Sequence, residues 1–185
     1  MAGADPAEGD APSTASLTSI DDVIVRPATH TDLPAIVDIY NEGGVGTTAS
    51  YDLEPVDLPE RTAWFERLST AGLPVFVLED EGVVVGYSSY GRFREKAGYD
   101  ATVEHSVYVA DGYRAAGAGR LLMGAVIDHA RSAGKHVMVG TLDAGNEASR
   151  AFHRRLGFEE SAVMREVGRK FDRWLDIVFV TLVLD

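Results

Sequence analysis

The sequence holds one grouping whose residue types and spacing are suited to chemistry without help from the rest. Arg114-x-x-Gly117-x-Gly119 follows an alternating apolar stretch from Glu104 to Ala110 and runs straight into an amphipathic segment. A strand, a glycine-containing turn and a helix N-terminus in that order make a site for a pyrophosphate. The first N–H groups of a helix have no partners inside it, and glycines let a ligand approach them. The helix dipole also favours negative charge there. Other phosphate sites fail on composition. No Gly-Lys-Ser/Thr is present for a nucleotide P-loop, and the glycines follow a late strand without the triplet of a dinucleotide fold. Residue type alone leaves Glu104 an ordinary solvated carboxylate and His153 an ordinary buried imidazole.

These residues need a frame, and the chain is long enough to give one. At 185 residues, 45% hydrophobic and 25% charged, it suits one globular domain with a full core. There is no Cys, which excludes disulfides, thiolate metal sites and a Cys nucleophile and fits a reducing cytoplasm. No apolar run reaches the ~18–20 residues of a membrane span. A net charge of −12 argues against nucleic acid as a partner. Part of it is local, since Asp5, Glu8, Asp10, Asp21 and Asp22 share a stretch without Lys or Arg. Residues 1–21 read as a disordered acidic tail, and residues 22–185 as the folded domain.

Order begins with a short strand at Val23 to Pro27. Thr31-Asp32-Leu33-Pro34 predicts a helix cap with Pro34 in the first turn. Two helices follow, the first on Leu33, Ile36, Val37, Ile39 and Tyr40, the second over 58–71 with Trp64, Phe65 and Leu68 inward. The Gly/Thr-rich link 43–51 between them suits a functional loop. Strands are predicted at 74–79, 83–91 and 102–110, a helix at 117–132, a strand at 136–142 and a helix at 146–156. Two strands at 161–169 and 175–184 end the chain. The order β-α-α-β-β-β-α-β-α-β-β is an α/β mixed sheet of six to seven strands with helices on both faces.

With these elements in place the sequence resembles the GNAT N-acetyltransferase superfamily. Arg114-x-x-Gly117-x-Gly119 fits its Gln/Arg-x-x-Gly-x-Gly/Ala pattern. Asn146-x-x-Ser149-x-x-Phe152-His153-x-x-x-Gly157-Phe158 fits its second conserved helix. Over residues 23–185 the chain is similar to the phosphinothricin and methionine sulfoximine acetyltransferase subgroup. That match rests on Thr47-Thr48-Ala49, Ser89-Tyr90-Gly91-Arg92-Phe93-Arg94, the run Val103 to Val109, Phe152 to Phe158, and Gly168 to Asp176.

The resemblance implies a GNAT fold, acetyl-CoA as co-substrate and no metal. Attack on the thioester would be direct in a ternary complex, with a small amino-acid analogue as acceptor and detoxification as the role. It places the pyrophosphate on the amides of Ala115, Ala116, Gly117, Ala118, Gly119 and Arg120, beside the Arg114 and Arg120 side chains. The pantetheine would pair with the strand edge at Val107, Tyr108 and Val109 and meet Asn146 and Ser149 on the facing helix. The Val107 amide is a candidate for the reaction's oxyanion.

By the same resemblance Glu104 is catalytic, because an attacking amine is mostly ammonium at neutral pH and a positioned base supplies ~10²–10⁴-fold. His153 is the second catalytic candidate, as base, acid or orienting partner. Strand alternation turns His105 to the opposite face from Glu104, away from direct catalysis. Arg94 is the favoured anchor for an acceptor carboxylate, with Arg92 beside it. Thr48, Tyr51, Tyr90, His105 and Ser106 complete the acceptor side. The aromatic and basic turn Lys170 to Trp174 would rim the pocket and help form a homodimer. Two rival readings are the same chemistry on another amine, and a non-catalytic acyl-CoA-binding regulator.

Overall fold

The computed structural model describes residues 23–114 and 117–185. The acidic tail read at 1–21 lies outside the described residues, as do Ala115 and Ala116. The chain runs β1 (Val23–Pro27), α1 (Leu33–Tyr40), α2 (Leu58–Thr70), β2 (Val75–Asp80), β3 (Val83–Arg92), β4 (Thr102–Val109), α3 (Ala118–Ser132), β5 (Val137–Asp143), α4 (Glu147–Arg155), β6 (Glu159–Lys170) and β7 (Arg173–Val183). Among the described residues the strands form one sheet in the order β1-β2-β3-β4-β5-β7-β6. Every neighbouring pair is antiparallel except β4 and β5.

The sheet has apolar side chains on both faces, so it needs a helical layer on each. On one side α1 and α2 cover Val75, Val77 and Tyr87 with Leu33, Ile36, Ile39 and Phe65. On the other, α3 places Met123, Val126 and Ile127 against Val103, Met138 and Val180, and Phe152 and Leu156 of α4 pack on the same cluster. No helix among the described residues is long and apolar enough to cross a membrane.

The start of the first helix adds a turn to the sequence expectation. Thr29 caps an added 3₁₀ turn at His30–Asp32, and Asp32 is then the N-cap of α1 with Pro34 in its first turn, as the sequence predicts. The Asp32 carboxylate reaches back to the Thr29 N–H at 2.7 Å and also takes two 2.8 Å bonds from Arg26. It is therefore a buried junction between β1 and α1 instead of a free cap. Beyond α1 the chain does not leave the helix at once. Asn41–Val45 forms a single π-turn whose Gly44 sits against Tyr40 and Tyr108.

Candidate active site

The site begins where the only parallel pair of the described sheet comes apart. β4 and β5 are in register at Thr102, Val103 and Glu104 alone, and β4 then continues to Val109 without β5 beside it. The gap holds a cleft of about 90 Å³ lined by His105, Ser106, Val107 and Tyr108 on one side and Thr141, Leu142 and Asp143 on the other. Asn146, Ser149 and His153 of α4 close one end, and Ala49 the other. These residues come from both faces of the sheet, so the cleft runs through it. A strand edge without a partner presents N–H and C=O groups to whatever enters.

Alternation along β4 sorts the candidates. Val103, His105, Val107 and Val109 face α3 and α4, whereas Glu104, Ser106 and Tyr108 face α1 and α2. Glu104 is half-buried and its Oε1 accepts from Thr141 Oγ1 at 2.6 Å. Its Oε2 has no hydrogen-bond partner among the described residues.

His153 lies on the other face and is 2% exposed. Its Nδ1 is 2.8 Å from the Ser149 carbonyl oxygen, an acceptor, so Nδ1 carries the proton. Nε2 is then a lone pair, buried and unpartnered. Burial lowers the His153 pKa, against a smaller opposing pull from the Ser149 carbonyl. His105 stacks on His153 with centroids 5.1 Å apart, and neither of its nitrogens has a partner. Burial, with the neighbouring His153, pushes His105 down to about 3. Both rings are neutral at physiological pH.

The pyrophosphate motif sits where β4 hands over to α3. Gly117 caps α3 at φ +90°, a conformation that favours glycine. Gly119 serves packing, because a Cβ there would stand 3.2 Å from the Phe152 ring of α4. Ala118 is fully buried beneath the first turn. The Arg120 side chain is exposed and has no ion pair or hydrogen bond among the described residues, while its N–H donates to the Gly117 carbonyl at 2.9 Å. Arg114 folds back, with Nε donating to the Val109 carbonyl at 3.1 Å and Nη1 3.1 Å from Asp111. On the facing helix Asn146 is the N-cap of α4, accepting from the Ser149 N–H at 3.0 Å, which leaves its NH₂ group free.

The acceptor candidates divide. Thr48 Oγ1 donates to Asp143 Oδ2 at 2.5 Å, tying the 43–51 loop to the end of β5 at the cleft. Ser106 lines both this cleft and a second one of about 270 Å³ under α1 and α2. Tyr51 lays its ring against Gly168 of β6, its hydroxyl buried and unpartnered. Tyr90 is not a pocket residue. It is 1% exposed, packs with Met123 and Val126, and bonds His129 Nδ1 at 2.8 Å. On β3 it is Tyr87 and Ser89 that face α1 and α2.

Arg92 and Arg94 are both exposed. Arg92 pairs loosely with Asp100 at 4.0 Å, and Arg94 lies over the Phe93 ring at 4.0 Å. Neither touches the two clefts. No group of three or more His, Asp or Glu among the described residues could hold a metal ion.

Several residues at these clefts were not singled out from the sequence. Thr141 and Asp143 carry no spacing signal. Arg61 did carry one. It stands at i, with Trp64 at i+3, Phe65 at i+4 and Leu68 at i+7, so a cation occupies the apolar stripe of α2. It is 6% exposed in the larger cleft, beside Tyr40, Asp52 and Trp64.

Known proteins share this fold. The family model described as Acetyltransferase (GNAT) family matches residues 34–158. An L-methionine sulfoximine/L-methionine sulfone acetyltransferase from Pseudomonas aeruginosa is 49% identical over 162 residues, spanning 87% of this chain and 94% of that one. A putative acetyltransferase from Salmonella typhimurium, solved with acetyl-CoA, superposes with a TM-score of 0.85 at 44% identity, covering 89% and 95% of the two chains. A phosphinothricin acetyltransferase from Sinorhizobium meliloti, also in complex with AcCoA, gives 0.85 at 32% identity, covering 88% and 89%.

Proposed function

The chain belongs to the acetyltransferase (GNAT) family, whose co-substrate is acetyl-CoA, and on that premise we propose that it acetylates the α-amine of a small amino-acid analogue of the methionine sulfoximine, methionine sulfone or phosphinothricin kind. Detoxification of such compounds is the accompanying role. The observation that carries the reading is the separation of β4 from β5 immediately after Glu104. Glu104 and His153 fall on opposite faces of the sheet there, and the neutral His153 ring lines the cleft that the separation opens.

Acetyl-CoA supplies an activated acyl group. The first-turn amides of α3, Arg120, the free edge of β4 at Val107 to Val109, and Asn146 and Ser149 of α4 suit its pyrophosphate and pantetheine. The orphaned Nε2 of His153 in the cleft supports that fit, since a buried acceptor calls for a donor. His153 then acts as a hydrogen-bond acceptor. Its one N–H is committed to Ser149, which argues against the role of acid. Glu104 takes the proton from the acceptor's ammonium, directly or through water. Arg94 and Arg92, beyond Gly91 on β3, take the acceptor carboxylate.

The β6–β7 hairpin supports a homodimer. Val163, Met164, Val167, Phe171 and Trp174 are 46–61% exposed, and β6 is an edge strand. Light scattering coupled to gel filtration should give twice the chain mass, and a monomer at micromolar concentration refutes the dimer.

Thiol release from acetyl-CoA, followed over a panel of amines, tests the activity. Methionine sulfone or phosphinothricin should be turned over far better than polyamines or peptides. Release with none of the amines, despite measurable CoA binding, would sink the catalytic reading. An Arg94→Ala variant should raise KM for amino-acid acceptors about tenfold or more, and an unchanged KM removes that anchor.

A further inference from the structure

Arg61 is a buried cation with nothing to bind. Its guanidinium lies 4.1 Å from the centroid of the Tyr40 ring and 4.7 Å from that of Trp64. Those contacts engage its π-face and leave the in-plane N–H groups unmet. Its side chain has no hydrogen bond or ion pair among the described residues, and Nε is enclosed without a partner. Nε is thus a desolvated donor without a partner, which is costly, and it stands beside a cleft that could hold an acceptor atom.

The surroundings say where that atom comes from. Arg61 lines the cleft of about 270 Å³ together with Ser89 and Ser106. Neither serine hydroxyl has a hydrogen-bond partner among the described residues. Ser89 pairs with Ser106 across β3 and β4, and Gly91 with Glu104 two residues along the same face. Two strand residues span roughly 7 Å. The five bonds from the amine of a methionine-sized amino acid to an oxygen on its side-chain terminus span about 6 Å. Glu104 does not itself line this cleft, but an amine at its carboxylate would place a side-chain oxygen two residues along the strand pair, level with Ser89 and Ser106 of the Arg61 cleft.

The charge of the cleft narrows the choice further. Asp52 and Glu60 also line it. Asp52 accepts from the Tyr40 hydroxyl, and Glu60 is held at the α2 cap by the Asp57 N–H at 3.2 Å. Two carboxylates beside one guanidinium oppose a second full anion, whereas a neutral, strongly polar oxide meets donors without repulsion.

We propose that Arg61 is a specificity-determining residue. With Ser89 and Ser106 it hydrogen-bonds the uncharged sulfone or sulfoximine oxygen at the far end of the acceptor. The assignment rests on the acetyltransfer reading above and adds to it a preference for neutral oxides over a charged phosphinate or a second carboxylate.

The test compares kcat/KM for methionine sulfone, methionine and phosphinothricin in the wild type, Arg61→Met and Arg61→Lys. Arg61→Met keeps the aliphatic contact with Tyr40 and Trp64 and removes the donors. The wild type should favour the sulfone over methionine and over phosphinothricin. The sulfone-to-methionine ratio should fall by about 10–100-fold in Arg61→Met, with acetyl-CoA KM held within about twofold. A ratio does not depend on the fraction folded. Should Arg61→Met fail to fold, Arg61→Lys carries the same comparison, and its ratio should fall by about fivefold or more.

An unchanged ratio in a folded variant overturns the assignment, as does a wild-type preference for phosphinothricin over the sulfone. Calorimetric titration of methionine sulfone into the protein with CoA separates the two claims. Saturable binding that weakens in the Arg61 variant, without thiol release, refutes acetyltransfer and keeps the subsite. No binding to the wild type overturns the subsite.

Discussion

Glu104 is held by a single partner. Thr141 Oγ1 donates to one carboxylate oxygen at 2.6 Å and so fixes the direction in which the other points. As the base proposed above, a carboxylate aimed in this way would act on a proton whose position the acceptor site sets. Glu104→Gln should lower kcat by about 10²–10³ while leaving the CoA dissociation constant unchanged. The residual rate should climb with pH until the free amine pKa, because only pre-deprotonated acceptor then reacts. Thr141→Val should cost far less, about 3–10-fold in kcat. A Glu104→Gln enzyme with a wild-type pH–rate profile removes Glu104 as the base. Glu104 and His153 could be singled out only through the family resemblance, since their types alone read as a solvated carboxylate and a buried imidazole. Thr141 could not be, since a lone Thr in a strand looks like any other until the register with Glu104 is known. Arg61 lies between these cases, as its place on the apolar stripe of α2 marks it without saying what it binds.

At the scale of elements, the two glycines of the phosphate motif do different work. Gly117 meets a backbone requirement at φ +90°, and Gly119 meets a packing one against Phe152. Through that contact α3, whose first-turn amides are proposed to take a phosphate, is seated on the helix that carries His153. Gly119→Val should lower stability by roughly 1–3 kcal/mol and raise acetyl-CoA KM several-fold, read from the urea midpoint and initial rates. The companion change Phe152→Leu should relieve part of both effects, and no relief would refute the coupling. Most element boundaries were legible because helices and strands here follow their apolar periods. Tyr90 was misassigned for a physical reason. β3 is buried on both faces, so its pattern does not alternate and cannot say which tyrosine faces which layer. The π-turn after α1 was also hidden, because its glycines read equally as a loop.

For the molecule as a whole, buried titratable groups set the response to acid. His105 has a folded pKa of about 3 against 6.5 unfolded. The unfolded chain therefore binds the extra proton first. The stability contributed is fully present above about pH 6.5 and is lost as the pH falls towards 3. Asp32 is lowered to about 2 by the Arg26 guanidinium, so its contribution is present above about pH 4 and is lost between there and 2. Two successive acid limbs should appear in urea midpoints measured from pH 7 down to 2. The upper one should reach at most about 2 kcal/mol by pH 5 and should shrink in His105→Phe. A flat response between pH 7 and 5 would contradict the buried neutral imidazole.

Lys170, at the end of β6, is 4% exposed and donates to the Ser50 carbonyl at 2.7 Å, with Gly44 O at 3.5 Å. Its partners lie 120 and 126 positions earlier in the chain. Contacts of such long range form only after the intervening segments have closed. During synthesis the 43–51 loop and its Thr48 are made early but are clasped only when the last hairpin leaves the ribosome. The same hairpin completes the sheet beside β5, so the roof over the proposed acceptor side takes its working shape together with the last part of the scaffold.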